Sequence, residues 1–172
     1  MGSDEDFSQW IDYYVYVSSN NITRAVFSGI GIARMMFEGE EITPIYSKTF
    51  EHSGTYNFKV LLNNPAAIPY NAFNAGHYRH IVLPACVESI GTSAFRNYNQ
   101  SYLVCYAVVP PTLSVDPFGN AHSIAVYVPD ASVEAYKSAW SMMTNIKPIS
   151  ELGGVILDYQ PLSGYSAERS AA

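Results

Sequence analysis

The chain is poor in cysteine, in charged residues and in long apolar runs, and each scarcity excludes a class of protein. Two cysteines among 172 residues cannot build a disulfide scaffold. Charged residues make up 14% and the net charge is −6, with no cluster of lysine and arginine, so nucleic-acid binding is not expected. No apolar run approaches the roughly 18 residues that a membrane-spanning helix needs, so no span is expected.

Aromatic and aliphatic residues are plentiful instead. The chain contains 14 tyrosines and 8 phenylalanines, and 48% of its residues are hydrophobic, which argues against intrinsic disorder. A chain of 172 residues is long enough for one sizeable core and short for two. We therefore expect a single globular domain.

A repeat of 22 or 23 residues runs through the middle of the chain. Five of the eight phenylalanines recur at this spacing, each preceded five residues earlier by isoleucine or leucine and followed at eight and ten residues by further apolar residues. These phenylalanines are Phe27, Phe50, Phe73, Phe95 and Phe118. Such a period predicts a solenoid, in which stacked coils bury apolar faces that no single coil could bury.

Each repeat is predicted to contribute one short strand, because apolar positions two residues apart are typical of a strand with one buried face. The repeats occupy residues 22–131, and parallel pairing of equivalent strands is expected. Residues 1–21 are predicted to cap the array with a strand, and residues 132–150 with an amphipathic helix. Residues 151–172 form a tail outside the repeat. The predicted fold is mainly β, with about five coils of 22–23 residues.

Three segments resemble a known family: IPYNAF…HIVLPACVESIGTSAF, VPPT before a shortened coil, and VYVPDASVEAYKSAW. They are similar to the BspA-like leucine-rich repeats of Bacteroidetes, and the resemblance covers roughly residues 22–148. It implies a right-handed leucine-rich-repeat solenoid at the cell surface that acts in adhesion or holds partner proteins. Related arrays occur in bacteriophage virion proteins. The N-terminus lacks the basic and apolar regions of a signal peptide, so we expect that the chain is not exported as written or that a leader was removed.

Candidate chemistry is sparse. The pair His77 and His80 has a metal-like spacing, but no third ligand stands at a suitable distance in the sequence. Cys86 and Cys105 are three positions out of register between neighbouring coils, so two thiols are expected rather than a disulfide. No catalytic motif is present, and we expect no catalytic residue, metal or cofactor.

Outward positions of the predicted sheet are more informative. They include Arg34, Met36, Asn57, Lys59, His80, Val82, Tyr102, Val104, Tyr106 and Tyr127, which we call the sheet-face strip. Many of these residues are apolar, whereas a solvated face should be polar, so the strip predicts a partner-binding surface. Two alternatives remain: another part of the chain covers the strip, or strand propensity alone selected these residues.

The sequence favours a non-enzymatic binding or adhesion module that holds a protein or glycan through this strip. The alternative is a structural or decoration protein of a bacteriophage virion, part of a capsid or fibre. Residues 153–165, which include the strand-prone segment VILDY, are expected to contact another chain or to fold back over Val82, Val104 and Tyr127. A homo-oligomer assembled through that segment is one form of this prediction.

Overall fold

The computed structural model describes residues 5–98 and 102–152. Short strands dominate this part of the chain, together with one α-helix, α1 (Val133–Ala139). The strands are β1 (Ile11–Val17), β2 (Ile22–Ala25), β3 (Ile32–Phe37), β4 (Glu40–Ile42), β5 (Ser47–Phe50), β6 (Gly54–Leu62), β7 (Ala67–Ile68), β8 (Tyr78–Leu83), β9 (Ser89–Ile90), β10 (Leu103–Cys105), β11 (Thr112–Leu113), β12 (Val126–Val128) and β13 (Ile146–Pro148). No helix in these two ranges is long and apolar enough to cross a membrane.

The strands form one large mixed sheet and two small ones. The large sheet has eight strands in the order β13-β12-β10-β8-β1-β6-β3-β4. Its first four strands are parallel, and every pairing from β8 to β4 is antiparallel. A parallel three-stranded sheet, β11-β9-β7, forms the opposite wall, and β2 pairs with β5 in an antiparallel ribbon.

The predicted leucine-rich-repeat solenoid of about five coils with a parallel sheet is therefore wrong. In the first two repeats, Met36 of β3 and Lys59 of β6 face each other in an antiparallel pair. A two-residue hairpin also reverses the chain between β3 and β4: Glu38 and Gly39 have φ values of +49° and +88°, which is the geometry of a tight turn between antiparallel strands.

The predicted N-terminal strand cap is also wrong, because the strand lies inside the large sheet. Strand β1 does not cover the end of an array but lies between β6 and β8, antiparallel to both. It has seven residues with buried side chains on its inner face and pairs along its whole length with the nine-residue β6. The three-residue strands of the later repeats are too short to form hydrogen bonds with all the backbone N–H and C=O groups of a seven-residue strand.

The main core lies between the large sheet and the opposite wall. All five repeat phenylalanines are at most 2% exposed, which confirms their assignment to the core. Phe95 stacks between Phe73 and Phe118, with ring centroids 5.7 and 5.5 Å apart and nearly parallel planes. Trp140, which follows α1, closes this stack against Phe118 and donates a hydrogen bond of 3.0 Å from Nε1 to the carbonyl of Pro111.

Candidate binding surfaces

The sheet-face strip lies on the side of the large sheet that faces away from the main core, but most of it is not exposed. Met36, Asn57, Lys59, Val82, Val104 and Tyr106 are each at most 7% exposed. Arg34, His80, Tyr102 and Tyr127 are half-buried. The expectation of an open apolar strip is thus wrong for six of these residues, while binding by the other four stays a prediction.

A second, smaller hydrophobic cluster accounts for the burial at one end of the strip. Val82, Val104 and Tyr106 pack there with Leu152, and Ile149 lies against the cluster. Ile149 and Leu152 belong to a 3₁₀ helix, Ile149–Leu152, that follows the edge strand β13 and returns over the sheet. The strip is apolar because another part of the same chain covers it. The predicted contact segment, residues 153–165, lies outside the described residues.

The N-terminal residues 5–10, which we call the strap, lie at the other end of the strip. The guanidinium of Arg34 forms paired hydrogen bonds with both carboxylate oxygens of Glu5, at 2.9 and 3.2 Å, and its Cζ lies 5.1 Å from the ring centre of Trp10. The ammonium of Lys59 lies 5.1 Å from the ring centre of Phe7, which packs edge-on against Trp10. Two cations of the sheet thus hold the two aromatic rings of the strap.

Asp12 is the most unusual polar residue on this face. It is 3% exposed; Oδ1 accepts a hydrogen bond of 2.8 Å from Nδ2 of Asn57, and Oδ2 has no hydrogen-bond partner in the part of the chain that the structure describes. Burial raises the pKa of Asp12 to about 7, although the charge of Lys59 and the bond from Asn57 oppose the shift. Sequence reasoning missed this residue because aspartate within a strand-prone segment carries no signal of its burial.

Four half-buried rings form an aromatic row across adjacent strands of the same face. Tyr14, His80, Tyr102 and Tyr127 follow one another with centroid separations of 6.2, 4.7 and 5.8 Å. His80 has a φ of +52° and lies where the pairing of β1 with β8 shifts register, so an irregular backbone sets the direction of its ring. Burial lowers the pKa of its imidazole. Sequence reasoning found three members of the row and missed Tyr14.

The candidate metal pair is not brought together with a third ligand. Among residues 5–98 and 102–152, no group of three histidine, cysteine, aspartate or glutamate side chains is close enough to hold a metal ion. Nε2 of His77 lies 2.9 Å from the carbonyl of Ala25, while His80 joins the aromatic row. Both cysteines are thiols; Cys105 is buried and Cys86 is half-buried.

Two strongly exposed apolar side chains lie on a different part of the molecule, at a turn that connects the large sheet to the opposite wall. Residues 85–88 and 107–110, with Thr112, line a cavity of about 370 Å³ that we call the turn groove. Val108 and Val109 stand on it at 69% and 76% exposure. Among the described lining residues, Glu88 alone is charged.

A second apolar cavity continues along the same edge. It has a volume of about 240 Å³, and Ile30, 78% exposed, forms its rim beside Pro69. The turn between β6 and β7, which lines this second cavity, is joined to the turn groove by a hydrogen bond of 2.7 Å from the amide of Glu88 to the carbonyl of Ala66. The signal in the sequence was the apolar run Val108, Val109 and Pro110 between two short strands, where exposed polar residues are usual.

Comparison with known proteins identifies no relative: no protein family, curated protein or solved structure matches this chain. The resemblance to BspA-like repeats therefore stays a prediction. Any statement about function has to be argued from the surfaces described above.

Proposed function

We propose that this chain is a non-enzymatic binding module that holds a protein partner in the turn groove. The observation that carries the proposal is the exposure of Val108 and Val109 beside a cavity large enough to receive side chains. A contiguous exposed apolar surface on a globular domain usually marks an interaction site. This surface replaces the buried part of the sheet-face strip as the principal contact.

The chemistry of the lining favours a protein over a glycan. The described residues that line the groove are alanine, valine, proline, cysteine and threonine, with no aromatic ring among them and one carboxylate, that of Glu88. Sugar hydroxyl groups buried there would lack hydrogen-bond partners, which is costly, whereas aliphatic side chains of a protein would not. Depletion of charge at the centre and a charged residue at the rim are also typical of protein interfaces.

The groove is also built on a firm base, which lowers the conformational cost of binding. The carbonyl of Val108 accepts a hydrogen bond of 2.7 Å from Oγ of Ser132, and the carbonyl of Ala107 accepts one of 2.6 Å from the hydroxyl of Tyr136. These bonds tie the turn to the segment around α1 before any partner arrives. A prearranged surface loses less side-chain and loop entropy on association.

The test uses selection from a displayed peptide library against the full chain, followed by measurement of Kd for the selected peptides. We expect peptides with an apolar centre, and at least about tenfold weaker binding to Val109→Asp, since a buried unpaired carboxylate costs more than about 1.4 kcal/mol. Val115→Asp is the matched control, because Val115 is 73% exposed and lies outside the groove lining. Equal loss in both variants, or no loss in Val109→Asp, contradicts the proposal.

The oligomeric state of the free chain should be measured in the same experiment by light scattering. If the chain self-associates and Val109→Asp makes it monomeric, the turn groove is a contact between copies. That result would favour the alternative from sequence, a structural component of a larger assembly, over a module for a foreign partner.

A further inference from the structure

The strap is held on the sheet by charge and aromatic contacts rather than by backbone pairing. The bridge from Arg34 to Glu5 and the two cation–π contacts, to Trp10 and Phe7, are its described attachments to β3 and β6. Arg34 is fixed in turn by Glu41 of β4, with nitrogen–oxygen distances of 2.7 and 2.9 Å. Each such contact stabilises by about 0.5–2 kcal/mol, so a change of a few kcal/mol can release the strap.

Asp12 lies two residues after the strap and directly opposite Lys59 in the pairing of β1 with β6. Lys59 acts on the Asp12 carboxyl through its charge, while its ammonium lies over the ring of Phe7. The closed strap thus engages the cation that an ionised Asp12 would need as a partner. Within residues 5–98 and 102–152, only Asn57 donates a hydrogen bond to the carboxyl, and that bond leaves Oδ2 without one.

We propose that the strap is a pH-sensitive latch, closed on the sheet while Asp12 is protonated and lifted when Asp12 ionises. A buried carboxylate with an unpartnered oxygen is unstable, and lifting the strap admits water and releases Lys59 from Phe7 to pair with it. Opening also uncovers Trp10, which is 2% exposed in the closed form. The latch is independent of the turn groove.

The charged and polar groups around Asp12 determine whether the strap opens as the pH rises or as it falls. Lys59 and the hydrogen bond from Asn57 favour the ionised form of Asp12. Tyr14 on the same strand and Glu38, whose charge acts on Tyr14, supply no positive charge that would stabilise the carboxylate. Burial outweighs these contributions, so the protonated form prevails in the closed state up to about pH 7. If the open form titrates near the ordinary value for aspartate, the closed-to-open ratio falls about tenfold for each pH unit between that value and about 7, and it levels off above about 7.

The experiment is ¹⁹F NMR of the full chain labelled with 5-fluorotryptophan, titrated from about pH 5 to about pH 9. The protein has two tryptophans, and Trp140 is an internal reference because it is buried in the core far from the strap in sequence. We expect the Trp10 resonance to move as the pH rises, to stop moving above about 7 and to gain a solvent isotope shift, while that of Trp140 stays constant. A Trp10 resonance that is unchanged across the range would overturn the proposal.

Two variants assign the effect. Asp12→Asn keeps the shape of the side chain and the bond from Asn57, so we expect it to abolish the titration; Asp116→Asn, an exposed carboxylate paired with Arg96, should leave it intact. A titration that persists in Asp12→Asn assigns the switch to another group and refutes the latch. Should Asp12→Asn not fold, Phe7→Ala gives the second reading: Trp10 should be solvent-exposed at every pH, and a Trp10 that stays buried is contrary to the proposal.

Discussion

Truncation of Phe95 to alanine tests the central feature of the core, the row of stacked phenylalanines. The Phe95 ring is fully buried, and it contacts the rings of Phe73, Phe118 and Tyr98 at centroid distances of 5.5 to 6.0 Å. Removal of a buried phenylalanine side chain costs about 3–5 kcal/mol through lost transfer energy and the cavity left behind. The upper part of this range is expected, because rings on both sides lose a stacked neighbour.

The loss should be read from urea denaturation followed by tyrosine and tryptophan fluorescence. A domain is stable by about 5–15 kcal/mol in total, so a loss of about 4 kcal/mol removes a large part of that stability. With a slope of about 2 kcal/mol/M, the midpoint should fall by about 2 M urea. The slope itself should not change if the variant still unfolds in one step.

Tyr70→Ala is the matched control, because Tyr70 is also an aromatic residue but is 65% exposed. Its effect should stay within about 0.5 kcal/mol. A midpoint for Phe95→Ala that agrees with that of Tyr70→Ala would refute the assignment of the stack as the core of the fold.

Two further predictions follow from close contacts and from burial. Gly91→Ala should destabilise the protein by about 1–3 kcal/mol in the same urea assay, because a Cβ there would lie 2.8 Å from backbone atoms of Ile68 and Tyr70; an unchanged midpoint would show that this wall shifts freely. In titration with a thiol reagent at neutral pH, Cys86 should react in the folded protein. Cys105 should react only after unfolding, since burial raises its pKa to about 11; two fast thiols would contradict its placement.

The surfaces were harder to predict than the core. The sequence identifies which residues alternate along a strand, but the side of a sheet that receives solvent depends on segments far away in the chain. Val82 and Val104 were expected to be exposed, yet residues 149–152 cover them. Asp12 has an ordinary sequence environment, and its pKa is raised because the folded sheet buries it, while Lys59 and Asn57, which oppose the shift, come from another strand.

The sequence by itself determined the alternation, the repeat spacing and the burial of the five phenylalanines, because these depend on local periodicity and on the need to remove apolar side chains from water. Equivalent positions of the repeats do lie side by side, as in Val82, Val104 and Tyr127. Only the tertiary structure decided strand direction and neighbours. A strand alternates with the same two-residue period whether its neighbour is parallel or antiparallel, so spacing alone could not show that Met36 and Lys59 pair in the opposite sense or that β1 enters the sheet between β6 and β8.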